Sequence, residues 1–224
     1  MRKEKSLKEI YIESLVPTET SQMTAARLSS VELGRDGISL SPAEASLIQT
    51  LAQASWGGTS STLKKYVEIG TLTGLSALYW LQMLGSTGQL WSFEKSADHF
   101  ARAEKNLKHY IDKKQCHLIM GDAVEMLPSI DDQGPFDFIF IDGNKSAYMD
   151  YWTWAEKNIV KGGVIFVDNV FLGGSVYGDP SLAQFSNKQI GVVRQLNAGA
   201  YANQNFLTTL IPTDEGLLFA KRIH

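Results

Sequence analysis

Apolar and polar positions follow two rhythms along this chain. Over residues 6–54 the rhythm is helical: Leu7, Ile10, Tyr11 and Leu15 recur at the spacing that aligns them on one helix face. A further helix is predicted to open at Ser41-Pro42-Ala43-Glu44. Serine is its N-cap, proline suits the first turn, and glutamate three residues on completes a capping box. Leu47, Ile48 and Leu51 supply its buried face. Gly57-Gly58-Thr59-Ser60-Ser61 reads as a loop.

From Lys64 onward the rhythm changes to short apolar runs alternating with amphipathic stretches. Strands are predicted at Tyr66–Ile69, Gln89–Glu94, Cys116–Met120, Phe136–Asp142 and Gly163–Asp168. Helices are predicted over 75–84, 97–111, 123–127, 146–158 and 188–197. Phe206–Ile211 and Gly216–Lys221, divided by Pro212-Thr213-Asp214-Glu215, read as an antiparallel hairpin. The fold class is therefore α/β: a seven-stranded, mostly parallel sheet with helices on both faces and a C-terminal antiparallel hairpin. The chain has no internal repeat or low-complexity tract, so one domain is expected over 1–224. Within it, 1–54 is a helical N-terminal extension and 64–224 the α/β core.

Composition narrows the classes. Hydrophobic content of 44% and charged content of 20% suit a soluble globular protein. A net charge of -3 offers no basic field for nucleic acid. The single cysteine, Cys116, lies in an apolar run and reads as a small buried hydrophobe. The charged start Met1-Arg2-Lys3-Glu4-Lys5 leads into no apolar run, and no apolar stretch reaches the roughly 20 residues of a membrane span. A cytoplasmic setting and no membrane partner are expected.

Candidate chemistry gathers where the strands end. Val67-Glu68-Ile69-Gly70-Thr71-Leu72-Thr73-Gly74-Leu75-Ser76 reads as a strand, a glycine-bearing turn and a helix start, which puts backbone N–H groups at the ligand-binding edge of a parallel sheet. Gly70 leaves room for close ligand approach. Leu72 stands where a nicotinamide fingerprint needs its middle glycine, so pyrophosphate is disfavoured and a nicotinamide oxidoreductase with it. A nucleoside without phosphates fits better, and S-adenosylmethionine is such a ligand. Glu68 is expected to face its ammonium group, and Glu94, at the end of strand two, to accept from its ribose hydroxyls. Gly121-Asp122-Ala123 occupies the matching place after strand three.

Asp142 ends strand four, and Asp168-Asn169 ends strand five. Two carboxylates and an amide oxygen at one sheet edge form a hard site for Mg²⁺ above all, or for Mn²⁺ or Ca²⁺. Taken singly, each acid also suits a helix N-cap. Lys145, three residues past Asp142, can reach a substrate hydroxyl held at such a site, although a lone lysine at a helix start is usually solvated. His99, His109, His117 and His224 lack metal-ligand spacing, and His99 and His109 read as surface residues. Tyr148, Tyr151, Trp152 and Trp154 read as core, with Tyr148 a candidate for the substrate mouth. Lys105, Lys108, Lys113 and Lys114 read as a solvated face.

From about Ile38 to the C-terminus the chain resembles the metal-dependent, S-adenosylmethionine-dependent O-methyltransferases typified by caffeoyl-CoA and catechol O-methyltransferases, especially their small bacterial members. The residues that carry this are Asp142-Gly143-Asn144-Lys145 with Tyr148 and Tyr151, then Gly162-Gly163 through Asp168-Asn169, then Gly216-Leu217-Leu218. The resemblance implies a Rossmann-like class I methyltransferase fold. It implies Glu68, Gly70 and Ser76 at the methionine end of the cofactor and Glu94 at its ribose. Gly121, Asp122 and Ala123 would lie on the adenine side, and Ile38 and Leu40 on the N-terminal border. Asp142, Asp168 and Asn169 would be metal ligands, Lys145 the base or hydroxyl-orienting lysine, and the assembly a homodimer.

Two departures stand out. Relatives often read Asp-Ala-Asp-Lys where this chain reads Asp-Gly-Asn-Lys, and Gly173 to Lys188 has no clear counterpart. The expected reaction is methyl transfer to a hydroxyl of a catechol-like small molecule. A hydroxylated tRNA nucleoside is the rival acceptor, and a non-catalytic nucleoside-binding protein the rival from another class.

Overall fold

The structure, a computed structural model, describes residues 7–56, 64–178 and 185–224. The loop expected over 57–61 and part of the unmatched stretch 173–188 lie outside the described residues. The elements run α1 (Leu7–Leu15), α2 (Ser21–Glu32), α3 (Pro42–Ser55), β1 (Lys65–Ile69), α4 (Leu75–Leu84), β2 (Gln89–Glu94), α5 (Ala97–Asp112), β3 (Cys116–Met120) and α6 (Ala123–Met126). They continue with β4 (Phe136–Ile141), α7 (Tyr148–Asn158), β5 (Ile159–Asp168), α8 (Asn187–Ala202), β6 (Phe206–Ile211) and β7 (Leu217–Arg222).

All seven strands form one sheet in the order β3-β2-β1-β4-β5-β7-β6. Strands β1 to β5 are parallel, and β7 runs antiparallel to both β5 and β6. The sheet is thus the expected seven-stranded, mostly parallel one with its terminal antiparallel hairpin. Strand order reverses between β1 and β4, which opens a crevice at their carboxyl ends.

Strand alternation divides the core in two. Val67 and Ile69 join Trp91, Ile139, Ile141 and Val167 on the face covered by α7 and α8. Tyr66, Phe138, Phe140 and Phe166 point the other way, under α3, α4 and α5, with Trp80 at their centre.

Several expectations change. The capping box at Ser41 forms as the pattern required, with Ser41 Oγ accepting from Glu44 N and Glu44 reaching back to Ser41 N. The apolar stripe of α1 lies open: Leu7, Ile10, Tyr11 and Leu15 are all exposed, while α1 touches α3 and its Glu9 hydrogen-bonds Asp214 of the β6–β7 turn. Strand β5 starts at Ile159, earlier than Gly163. Gly162, at φ +84, lets the chain bulge between the pairs Phe136–Ile159 and Phe138–Val164. Helix α8 continues past Asn197 to Ala202 because Ala200 is still buried against the core.

Candidate active site

The site is assembled where the turns after β1, β2, β3, β4 and β5 meet. Gly70 follows β1 with φ +96, and a Cβ there would lie 2.2 Å from the carbonyl oxygen of Asp142. The glycine is therefore required by the backbone just past β4. Asp142 N donates to Ile69 O at 2.9 Å and Gly70 N to Phe93 O at 3.0 Å, which ties the three exits together. Leu72 takes the left-handed region (φ 52), and its N–H donates to Glu94 Oε2 at 2.8 Å. Below this turn a cavity of about 370 Å³ opens, lined by Ile38, Gly70, Leu72, Glu94, His99, Gly121, Asp122, Ala123, Asp142, Lys145, Tyr151 and Asn169, among others.

The β2 and β3 exits form one end. Glu94 is nearly buried and accepts from Ser96 N on Oε1 at 2.8 Å, besides Leu72 N on Oε2. His99 Nδ1 stands 3.5 Å from Oε1. Asp122 caps α6 by accepting from Val124 N at 3.0 Å and pairs with Lys95 Nζ at 2.7 Å. The hydrogen bond from Lys95 holds its carboxyl below the ordinary range.

The β4 and β5 exits form the other end. Lys145 Nζ donates to Asp142 Oδ1 at 2.7 Å, to Asn169 Oδ1 at 2.6 Å and to the Tyr148 hydroxyl at 2.6 Å. The Tyr148 hydroxyl in turn donates to the carbonyl of Asp168 at 2.9 Å. Asn169 sits at φ 57, so its amide turns toward the cavity. Asp168 lies just behind, buried, with its Oδ1 accepting from Asn169 N at 2.7 Å. Burial, and then the charge of Asp142, push its carboxyl up.

This placement sorts the sequence expectations. Ile38, Gly70, Glu94, Gly121, Asp122, Ala123, Asp142, Lys145 and Asn169 meet at the cavity, with Asp168 adjoining it. Glu68, Ser76 and Leu40 do not line it. Ile69 and Glu68 must point to opposite faces of β1, and Ile69 takes the cavity side. Glu68 is fully buried beneath α4, where Trp80 Nε1 donates to Oε1 at 2.8 Å and Ser92 Oγ to Oε2 at 2.5 Å, with the Ser76 hydroxyl as a third partner. Burial raises this carboxyl to about 7 against those hydrogen bonds. Leu40 packs into the lower core, and its carbonyl accepts from Arg27. Tyr148, a candidate for the substrate mouth, is completely buried and braces Lys145 instead.

The pattern of residues missed His99, which it read as a surface residue, while Tyr151 is buried in the core as expected and also lines the cavity. Ser96 is the N-cap of α5, which puts His99 at the third helical position, one turn from Glu94; that spacing was the available signal. Tyr151 also packs over the Asp-Gly-Asn-Lys turn. A Cβ on Gly143 would come 2.9 Å from Tyr151 Cε2 and 3.1 Å from Ile69 Cγ2, so alanine would crowd the ring. Asn144 caps the turn that follows by accepting from Ser146 N at 3.1 Å, a role aspartate fills equally.

The oxygens of Asp142 and Asn169 already converge on one cation, the Lys145 ammonium, and a third oxygen-bearing residue adjoins them. This hard donor set suits a divalent ion. Among the described residues no cluster of three or more His, Cys, Asp and Glu side chains could hold a metal, so a site here depends on the amide oxygen of Asn169.

The family model described as O-methyltransferase matches residues 21–223. A catechol O-methyltransferase of Niastella koreensis is 32% identical over 203 residues, 90% of this chain and 87% of the relative. A catechol O-methyltransferase of Mycobacterium tuberculosis is 33% identical over 116 residues, 52% of each chain. Among solved structures, the O-methyltransferase TomG from Streptomyces achromogenes, in complex with SAM, superposes with a TM-score of 0.83 at 25% identity, covering 96% of this chain and 95% of TomG. With its sheet, crevice and nearly its whole length matched, this chain belongs to the O-methyltransferase family.

Proposed function

We propose that this enzyme transfers the methyl group of S-adenosylmethionine to one hydroxyl of a catechol-like aromatic diol, with a divalent cation, Mg²⁺ by preference, at Asp142, Asp168 and Asn169. The observation that carries the reading is the convergence of Asp142 Oδ1 and Asn169 Oδ1 on one positive charge at the rim of the cavity that also holds Glu94. The catechol O-methyltransferases among the relatives and the SAM-bound TomG support it.

S-adenosylmethionine supplies an already activated sulfonium methyl, and the cation supplies the positive charge that acidifies a nearby hydroxyl. The chain's own residues do the rest. Glu94 holds the ribose end, and Leu72 and Ile38 shield the nucleoside from water. Lys145 Nζ is the group that orients the acceptor hydroxyl, and Tyr148 keeps it aimed. Alignment of two reactants is then the enzyme's largest contribution. A homodimer belongs to the same reading, supported by the open apolar stripe of α1. Nothing favours tRNA: Lys108 of the basic face pairs with Asp112 on its own helix.

A methyl-transfer screen tests the proposal, with catechols, caffeoyl thioesters and hydroxylated or unmodified tRNA, each with and without EDTA. Catechol turnover should vanish on chelation and return with Mg²⁺. Asp142→Ala should lower kcat/KM more than about 100-fold and abolish Mn²⁺ binding. Turnover unchanged by exhaustive chelation, or transfer to tRNA alone, would overturn it.

A further inference from the structure

We infer that His99 is a cofactor-binding residue that shares the ribose diol with Glu94 and supplies the hydrogen-bond donor which that carboxylate lacks. The inference rests on the reading that the cavity accepts the nucleoside of S-adenosylmethionine. The two oxygens of Glu94 each already accept one backbone N–H, from Ser96 and from Leu72, which fixes the plane of the carboxylate. Each oxygen keeps a further lone pair, so Glu94 can take a proton from each of two hydroxyls. It has nothing to donate. The hydroxyl oxygens of a ribose diol still need donors once water is excluded, and an unmet acceptor in a closed site weakens binding.

Two cationic or ring-nitrogen side chains of the cavity lining lie beside Glu94, Lys95 and His99. Lys95 is held in its ion pair with Asp122 at 2.7 Å. His99 is differently situated. Its backbone N–H faces Ser96 Oγ at 3.5 Å at the start of α5, while its ring lines the cavity with its side chain 18% exposed. Nδ1 stands 3.5 Å from Glu94 Oε1, well beyond the 2.9 Å of a good N–H···O bond, so the ring is beside the carboxylate without being locked to it. That spacing leaves the ring free to donate to a hydroxyl that Glu94 also holds.

Calorimetry on the full chain tests this with S-adenosylhomocysteine and its 2′-deoxy and 3′-deoxy analogues. Wild type should lose about tenfold in affinity when the hydroxyl that meets His99 is removed. In His99→Ala, affinity for S-adenosylhomocysteine should fall by about the same factor, and the matching deoxy analogue should then bind as weakly to the variant as to wild type. His99→Asn, which keeps a donor, should recover part of the loss. A His99→Ala variant that weakens all three ligands equally, or none, would overturn the role of His99. Failure of wild type to bind S-adenosylhomocysteine at all would instead overturn the cofactor reading beneath it.

Discussion

Glu68 carries three hydrogen-bond donors yet has no route to solvent, and the two facts oppose each other. The donors from Trp80, Ser92 and Ser76 favour the carboxylate, while burial favours the acid and prevails, leaving the group at about 7. A carboxyl raised in the folded state adds stability that is complete below its unfolded value, near 4.5, and is lost as pH climbs through 7. Glu68 alone should therefore take about 2–3 kcal/mol from stability between pH 5 and pH 8. Glu68→Gln, which cannot ionise, should remove that part of the slope and leave the part that the raised Asp168 carboxyl adds. Thermal melts of both proteins across this range measure it, and parallel curves would refute the assignment. Ser92 extends the same network to the turn, since its hydroxyl lies 2.6 Å from that of Thr71. Glu68 thus supports the turn between β1 and α4 from beneath.

Among the elements, the β6–β7 hairpin matters most to the site. Val170 N donates to Gly216 O at 3.0 Å and Phe171 N to Glu215 O at 2.9 Å, so the hairpin turn pins the segment that leaves Asp168 and Asn169. Helix α8 holds the opposite side through Asn197 Nδ2, which donates to Val170 O at 3.0 Å. Gly216 is at φ +75, and a Cβ there would meet the Phe171 ring at 2.4 Å. Gly216→Ala should combine a left-handed backbone penalty with overpacking, about 3 kcal/mol in all. The Tm should drop by roughly 6–12 °C, while affinity for S-adenosylhomocysteine, set at the β2 end, should hold. Calorimetry and a thermal melt separate the two effects. The hairpin itself was readable in the sequence, from two β-rich runs around Pro212-Thr213-Asp214-Glu215. Its grip on the β5 exit was not, because backbone pairing between those segments leaves no mark in either one's residue pattern.

At the scale of the molecule, the cavity joins the ends of five parallel strands, so a ligand there should stabilise the whole sheet. S-adenosylhomocysteine at 100 times its Kd should add about 2.7 kcal/mol, a rise in Tm of roughly 5–11 °C. NADH should add nothing, since Leu72 closes the turn to a pyrophosphate; a shift with NADH alone would reverse that assignment. Among the described residues no helix is long and apolar enough to cross a membrane. The alternation of strands and helices, the capping box at Ser41 and the acids at neighbouring strand ends were all legible in the chain. They follow from side-chain periodicity and from backbone angles set within a few residues. Packing across the sheet settled the rest. It turned Glu68 away from the cavity, demanded Gly70 for the carbonyl of Asp142, brought His99 and Tyr151 to the lining, and seated Lys145 between Asp142 and Asn169. Which strand face a helix covers, and which cation meets a carboxylate, are decided between segments far apart in the chain, and no local pattern encodes them.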